Sequence, residues 1–181
     1  DTSPRVLSGV EYKQLKDKIS IEAPSIRVFI TKTVKEAQSA LSDLNDEIHS
    51  WQLGAIDFKK SKVASLSSQS GPVWIVCLDE GEKPTGTSAS GQGHLESALY
   101  SRARDLVGQV FVRPFPPGLK TVAIYCRVQD EAAQLGALVG LEMASYHYKK
   151  REKDHEEHVP PKIVFLGLKD KAVRQRAEAL G

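Results

Sequence analysis

Long apolar runs are missing. No segment stays apolar for the ~20 residues that a bilayer-crossing helix needs, so no such helix is expected. Cysteine is scarce. Cys77 and Cys126 are the only two, each inside an apolar run. The absence of a Cys-x-x-Cys pair excludes a zinc knuckle. Two reduced core thiols of a cytoplasmic protein are expected instead. Charge of one sign is not in excess either: the formal net charge is +2, whereas a phosphate-reading surface needs a concentrated basic patch. There is no internal repeat. The opening Asp1-Thr2-Ser3-Pro4 has neither an initiator Met nor an apolar core segment, so it reads as a cut or processed terminus and not as a signal peptide.

What is present is ordinary for a globular chain. Hydrophobic residues make up 40% and charged residues 27% of 181 positions, enough for one domain with a real core. Ile26–Thr31 alternates and is β-branched, so it reads as a strand. Lys35–Trp51 reads as an amphipathic helix, with Ala37, Ala40, Leu41, Leu44 and Ile48 three and four apart. Val63–Leu66 is a short strand candidate. Pro72–Leu78 is apolar throughout, as a strand covered on both faces would be. Asp79–Gly93 lacks core residues and reads as an exposed loop. His94–Leu106 reads as a helix, Gln109–Arg113 as a short edge strand before Pro114, and Lys120–Cys126 as a second buried strand. Asp130 to about Arg151 is the longest helical stretch. Lys162–Gly167 is a last strand, and Asp170–Leu180 a final helix. Strands alternating with helices predict an α/β domain with a mixed, mostly parallel sheet sandwiched between helices. Residues 1–24 are expected as an extended arm.

Several stretches invite a chemical reading. His155-Glu156-Glu157-His158 resembles a zinc motif, but a zincin helix needs its two histidines four apart, on one face. Here they are three apart, within a charge run from Lys149 to Glu157 that Pro160-Pro161 closes. A hydrated connector is the better reading. Gly86–Gly93 is glycine-rich and precedes a helix, where backbone N–H groups can hold phosphate. It ends in Gly-Gln-Gly-His and not in the Gly-Lys-Ser/Thr of a P-loop, so a surface loop is expected. Ser90 lacks the preceding glycine of a nucleophile elbow. Asp79-Glu80 follows the strongest strand, where carboxylates often act in α/β sheets, although solvating a loop suffices to explain them. In the long helix, Gly136, Gly140 and Ala144 lie four apart, a spacing that lets a neighbouring element pack close. Ala132, Leu135, Val139, Met143 and Tyr146 form one apolar stripe, with Leu138, Leu141 and Tyr148 on other faces. Such a helix is expected to be buried on more than one side, either by core packing alone or by a second domain or subunit that covers its outer face.

Val139-Gly140-Leu141-Glu142-Met143-Ala144-Ser145-Tyr146-His147-Tyr148-Lys149 resembles the helix near the end of the N-terminal domain of M17-family leucyl aminopeptidases. That helix carries Gly, a small residue, Ser-Tyr and an aromatic before a basic stretch, here Gly140, Ala144, Ser145, Tyr146 and Tyr148. Ala144 stands where Gly is usual, and Arg151-Glu152 where Tyr-Lys is common. The order of elements from Val73 to Leu180 is also similar. The resemblance implies a macro-domain-like fold and a single accessory domain over 1–181, with a catalytic domain expected beyond residue 181.

It also implies that the two divalent metal ions, zinc or manganese, belong to that other domain. The family signature Asn-Thr-Asp-Ala-Glu-Gly-Arg is absent from these residues. No catalytic, cofactor-binding or metal-ligating residue is therefore expected in this chain. Its implied role is to assist assembly of a homo-oligomer, a hexamer in the family, and access of peptide substrates. Two alternatives stand beside it. One is a stand-alone macro-type module binding a nucleotide or ADP-ribose through Gly86–Gly93 and Asp79. The other is a structural subunit, touching nucleic acid through Lys149, Lys150, Arg151 and Lys153.

Overall fold

The computed structural model describes residues 9–79, 91–113, 115, 117–152, 161–169, 173 and 175, and for 91–97 and 145–152 the backbone alone. Six strands form one sheet: β1 (Val10–Lys13), β2 (Ser25–Thr31), β3 (Val63–Ser68), β4 (Gly71–Cys77), β5 (Thr121–Cys126) and β6 (Lys162–Leu166). Their spatial order is β1-β6-β5-β2-β4-β3. Neighbours are parallel except β3, which runs antiparallel to β4 at one edge. Among the described residues four helices flank the sheet: α1 (Val34–Ser42), α2 (Ser50–Gly54), α3 (Gly91–Val112) and α4 (Glu131–Glu152); the final helix expected at Asp170–Leu180 lies almost wholly outside them. The fold is thus α/β with a mostly parallel, mixed sheet, as the alternation of elements predicts.

The period-2 geometry of strands sorts side chains into two cores. On one face Val28, Ile30, Trp74, Val76, Val122, Ile124 and Phe165 meet Ala103, Val107, Phe111 and Leu138 of α3 and α4. On the other, Phe29, Val73, Ile75 and Cys77 meet Ala37, Ala40, Leu44 and Ile48. β4 contributes to both, which is why its sequence is apolar without alternation. Pro72 fits because it exchanges no ladder hydrogen bonds with Ser67 on β3 and lies just before the β2 register, which begins at Arg27↔Val73, so a missing N–H at the start of the strand is tolerated. At the open side of β3, the Gln52 side chain accepts from Ser67 N–H (3.0 Å) and donates to Ser67 C=O (3.3 Å). It thereby occupies part of an otherwise unpaired edge.

Four readings of the sequence need correction. Gln109–Arg113 is not an edge strand; Gln109–Val112 is the last turn of α3. Val110 and Val112 alternate like strand residues, but Val110 and Phe111 are buried with Ala103 and Val107, a helical spacing. Val112 is exposed. Lys35–Trp51 is not one helix. It breaks after Ser42, where Asp43, Asn45 and Asp46 crowd together, and Leu44 and Asn45 donate to carbonyls three residues back. These are short polar residues that favour turns over helix interiors. α3 begins at Gly91 and not at His94, so the loop reading of Asp79–Gly93 fails at its last three residues; 80–90 lie outside the described residues. Finally, Met143 does not share the burial of its stripe on α4, being 59% exposed while Leu135 and Val139 are buried.

Of the stretch 1–24, Val10–Lys13 forms β1, an edge strand pairing with β6. The next residues cross the sheet without a helix: Leu15 lies beside Gly167 at one end, and Glu22 N–H donates to Thr121 Oγ1 at the other.

Candidate functional site

In open parallel sheets, ligands bind beyond the C-terminal strand ends, where neighbouring strands send their helices to opposite faces. Here that place lies between β2 and β5. The chain leaves β2 into α1 on one face and leaves β5 into α4 on the other. Local sequence builds both exits. Thr33 caps α1, accepting from Glu36 N–H at 3.1 Å, while Glu36 Oε2 accepts from Lys32 N–H at 2.9 Å. This is a capping box shifted by one residue.

The crevice is bridged by the chain itself. Lys32 Nζ lies 2.8 Å from Asp130 Oδ2, a link from the end of β2 to the start of α4. Arg127 reaches Asp43 at 3.3 Å and lies over the Phe29 ring, which stacks on Tyr125. Behind them, buried Gln134 donates to the carbonyls of Val128 (2.8 Å) and Gly167 (2.9 Å) and accepts from Lys169 N–H (2.9 Å). Gln129 adds a second bond to Gly167 C=O at 3.2 Å. Gly167 has φ +105°, a left-handed conformation that side chains resist. At the end of β4, Arg102 donates to Asp79 C=O at 3.0 Å.

The other buried polar side chains serve the fold as well. Ser25 donates to Ser70 C=O, Thr31 to Val76 C=O, and Thr121 accepts from Glu22 N–H. Among the described residues, no three His, Cys, Asp or Glu side chains gather where they could share a metal ion.

The two cysteines lie on opposite faces, both buried and free. Burial pushes the Cys126 thiol up to about 12, against a smaller opposing effect of its contact with Val128. Burial also raises Cys77, although the Asp79 backbone, Lys62 and Arg102 pull the other way. A thiolate is the reactive form. An aromatic disulfide reagent at pH 8 is therefore expected to titrate neither thiol promptly in the folded chain and both in denaturant. A prompt native thiol would contradict the packing. The sign of the linkage follows from the raised folded value. The stability contributed by Cys126 is complete below about pH 9 and falls as pH rises towards 12.

No protein-family model, curated protein or solved structure matches this sequence. Geometry alone therefore ranks the sequence candidates. Cys77 and Asp79 come together at the end of β4 with Arg102. Cys126 lies two strands away. His155, His158, Glu80, Ser90 and Lys153 lie outside the described residues, as does Gly86–Ser90 of the glycine-rich loop. Lys149, Lys150 and Arg151 fall in the last turns of α4. Gly136 and Gly140 do what their spacing suggests: a Cβ at either would overlap the carbonyl oxygen of Tyr100 or Arg104, so α4 lies backbone-close against α3. The polar residues of the strand ends, Lys32, Arg102, Arg127, Asp130 and Gln134, were not singled out by sequence reasoning. Their only local signal is a charge directly after an apolar strand, as in Thr31-Lys32 and Cys126-Arg127.

Proposed function

We propose that this chain is the non-catalytic N-terminal domain of a metal-dependent leucyl aminopeptidase of M17 type. In this reading it assists homo-oligomer assembly and the approach of peptide substrates, while the catalytic half holds two zinc or manganese ions. The observation that carries the reading is the position of the Gly140–Tyr148 segment. It lies in α4, between β5 and β6 of a mostly parallel sheet, the order the resemblance implies. The strand-end crevice supports it as well: its described side chains are engaged with one another, so the site where a stand-alone enzyme of this architecture would act is bridged. None of the described helices is long and apolar enough to cross a membrane, and a cytoplasmic location belongs to the same proposal.

The test begins with the coding sequence beyond Gly181. A downstream segment resembling Asn-Thr-Asp-Ala-Glu-Gly-Arg is expected. The longer product should release N-terminal leucine from peptides with manganese or zinc, while residues 1–181 alone should not. A stop codon directly after Gly181 would sink the proposal. So would saturable ADP-ribose binding by 1–181 together with no peptidase domain downstream, which would favour a macro-type module.

A further inference from the structure

The outer side of the α3–α4 pair carries a groove of about 670 Å³. Arg104, Asp105, Gly108, Gln109 and Val112 line it from α3, Arg113 closes it just past the helix end, and Met143 of α4 forms the opposite wall. Val112 and Met143 are 50% and 59% exposed. They are two of the four large apolar side chains left exposed among the described residues. The Arg113 guanidinium lies against the Trp74 ring, 4.8 Å from its centre, and has no carboxylate partner among the described residues. Asp105 is 62% exposed, and its partner is the adjacent Arg104, an exposed pair of small energetic weight.

We infer that this groove receives a second copy of the same chain, with the two α3 helices crossing antiparallel about a two-fold axis at Gln109. The pattern of charge carries the inference. Asp105 lies four residues before Gln109 and Arg113 four residues after it. A two-fold axis at Gln109 sets Asp105 of each copy opposite Arg113 of the other, twice per interface. Gln109 then meets itself, and a primary amide both donates and accepts. Gly108 sits beside the axis with no atom within 4 Å of where a Cβ would stand, which leaves room for the helices to close. Val112 and Met143 supply the apolar area. A foreign acidic helix would answer Arg104 and Arg113 but confront Asp105, and a basic one would face both guanidinium groups. A second copy presents both signs in reversed order.

This inference does not rest on the aminopeptidase reading, since a chain ending at Gly181 would still pair. Sedimentation equilibrium of residues 1–181 should show a monomer–dimer equilibrium that weakens with salt. Asp105→Arg and Arg113→Asp should each weaken the dimer by about tenfold or more, because each sets like charges face to face. The double variant Asp105→Arg/Arg113→Asp should recover most of the loss, a rescue that mere damage to the fold would not produce. Met143→Glu should weaken pairing without touching either charge, and it keeps the test open should Arg113→Asp lose fold along with its Trp74 contact. A chain that stays monomeric up to its solubility limit overturns the inference, as does a dimer indifferent to both single reversals.

Discussion

Gly136→Val is expected to lower the unfolding free energy by about 3 kcal/mol or more, among the larger effects a single side chain can have here. The Cβ alone would overlap the Tyr100 carbonyl oxygen and crowd the Ala103 methyl, and neither a helix backbone nor a buried alanine can step aside cheaply. α3 would have to move off α4, opening the shared core of Val107, Phe111, Leu138 and Leu141. Packing density of that kind does not tolerate a gap without loss of contact energy. Gly136→Ala separates packing from propensity. Alanine gains about 1 kcal/mol over glycine in a helix interior, yet the same overlap remains, so a net loss is expected. Gly108→Ala is the control, since a methyl there meets nothing within 4 Å. It should stabilise by about 0.5–1 kcal/mol when measured at low protein concentration. Urea unfolding followed by circular dichroism reads all three. Equal signs for Gly136→Ala and Gly108→Ala would refute the close approach of the two helices.

That close approach was legible in the sequence because small residues four apart have one physical meaning on a helix. So were β2, β4, β5 and β6, whose β-branched and apolar runs reflect cover on both faces. β1 was not legible. Val10-Glu11-Tyr12-Lys13 is an edge of four residues in which Val10 alone is fully buried, too short for alternation to stand out from chance. The end of α3 was misread because a two-residue alternation at Val110 and Val112 is a weak signal beside the longer pattern through Ala103, Val107, Val110 and Phe111. The strand-end crevice was hidden for another reason. Lys32 and Asp130, or Gln134 and Lys169, belong to different crossovers and meet only through the strand order β6-β5-β2. No local pattern encodes a pairing that topology creates. The face of α3 from Asp105 to Arg113 lay partly in the misread segment. Its charge symmetry becomes visible only once those residues are known to form one helical stripe.

Gln134→Leu should cost about 3–5 kcal/mol, with the damage concentrated at the strand-end crevice. Gln134 is fully buried, and its amide ties together the exit of β5 through Val128 C=O and the exit of β6 through Gly167 C=O and Lys169 N–H. Leucine fills the space but satisfies none of these. Each backbone group left without a partner costs about 1–3 kcal/mol when water cannot reach it. Gln129 still donates to Gly167 C=O and the Cys126 thiol, more weakly, to Val128 C=O, so each carbonyl loses one bond of two, and the total stays below three full penalties. Hydrogen exchange should quicken at Lys169 first, since its amide proton is the one released. Gln134→Glu is the sharper variant. A carboxylate would set its oxygens against the carbonyls of Val128 and Gly167, whereas a protonated acid can still donate to one of them. Its folded pKa should therefore rise well above the usual value of about 4.3. The resulting stability is then greatest below pH ~4.3 and is lost as pH rises through the folded value. The variant should accordingly become more stable relative to the parent on acidification. A ratio of unfolding constants that did not change with pH would show that Gln134 does not hold the two strand exits together.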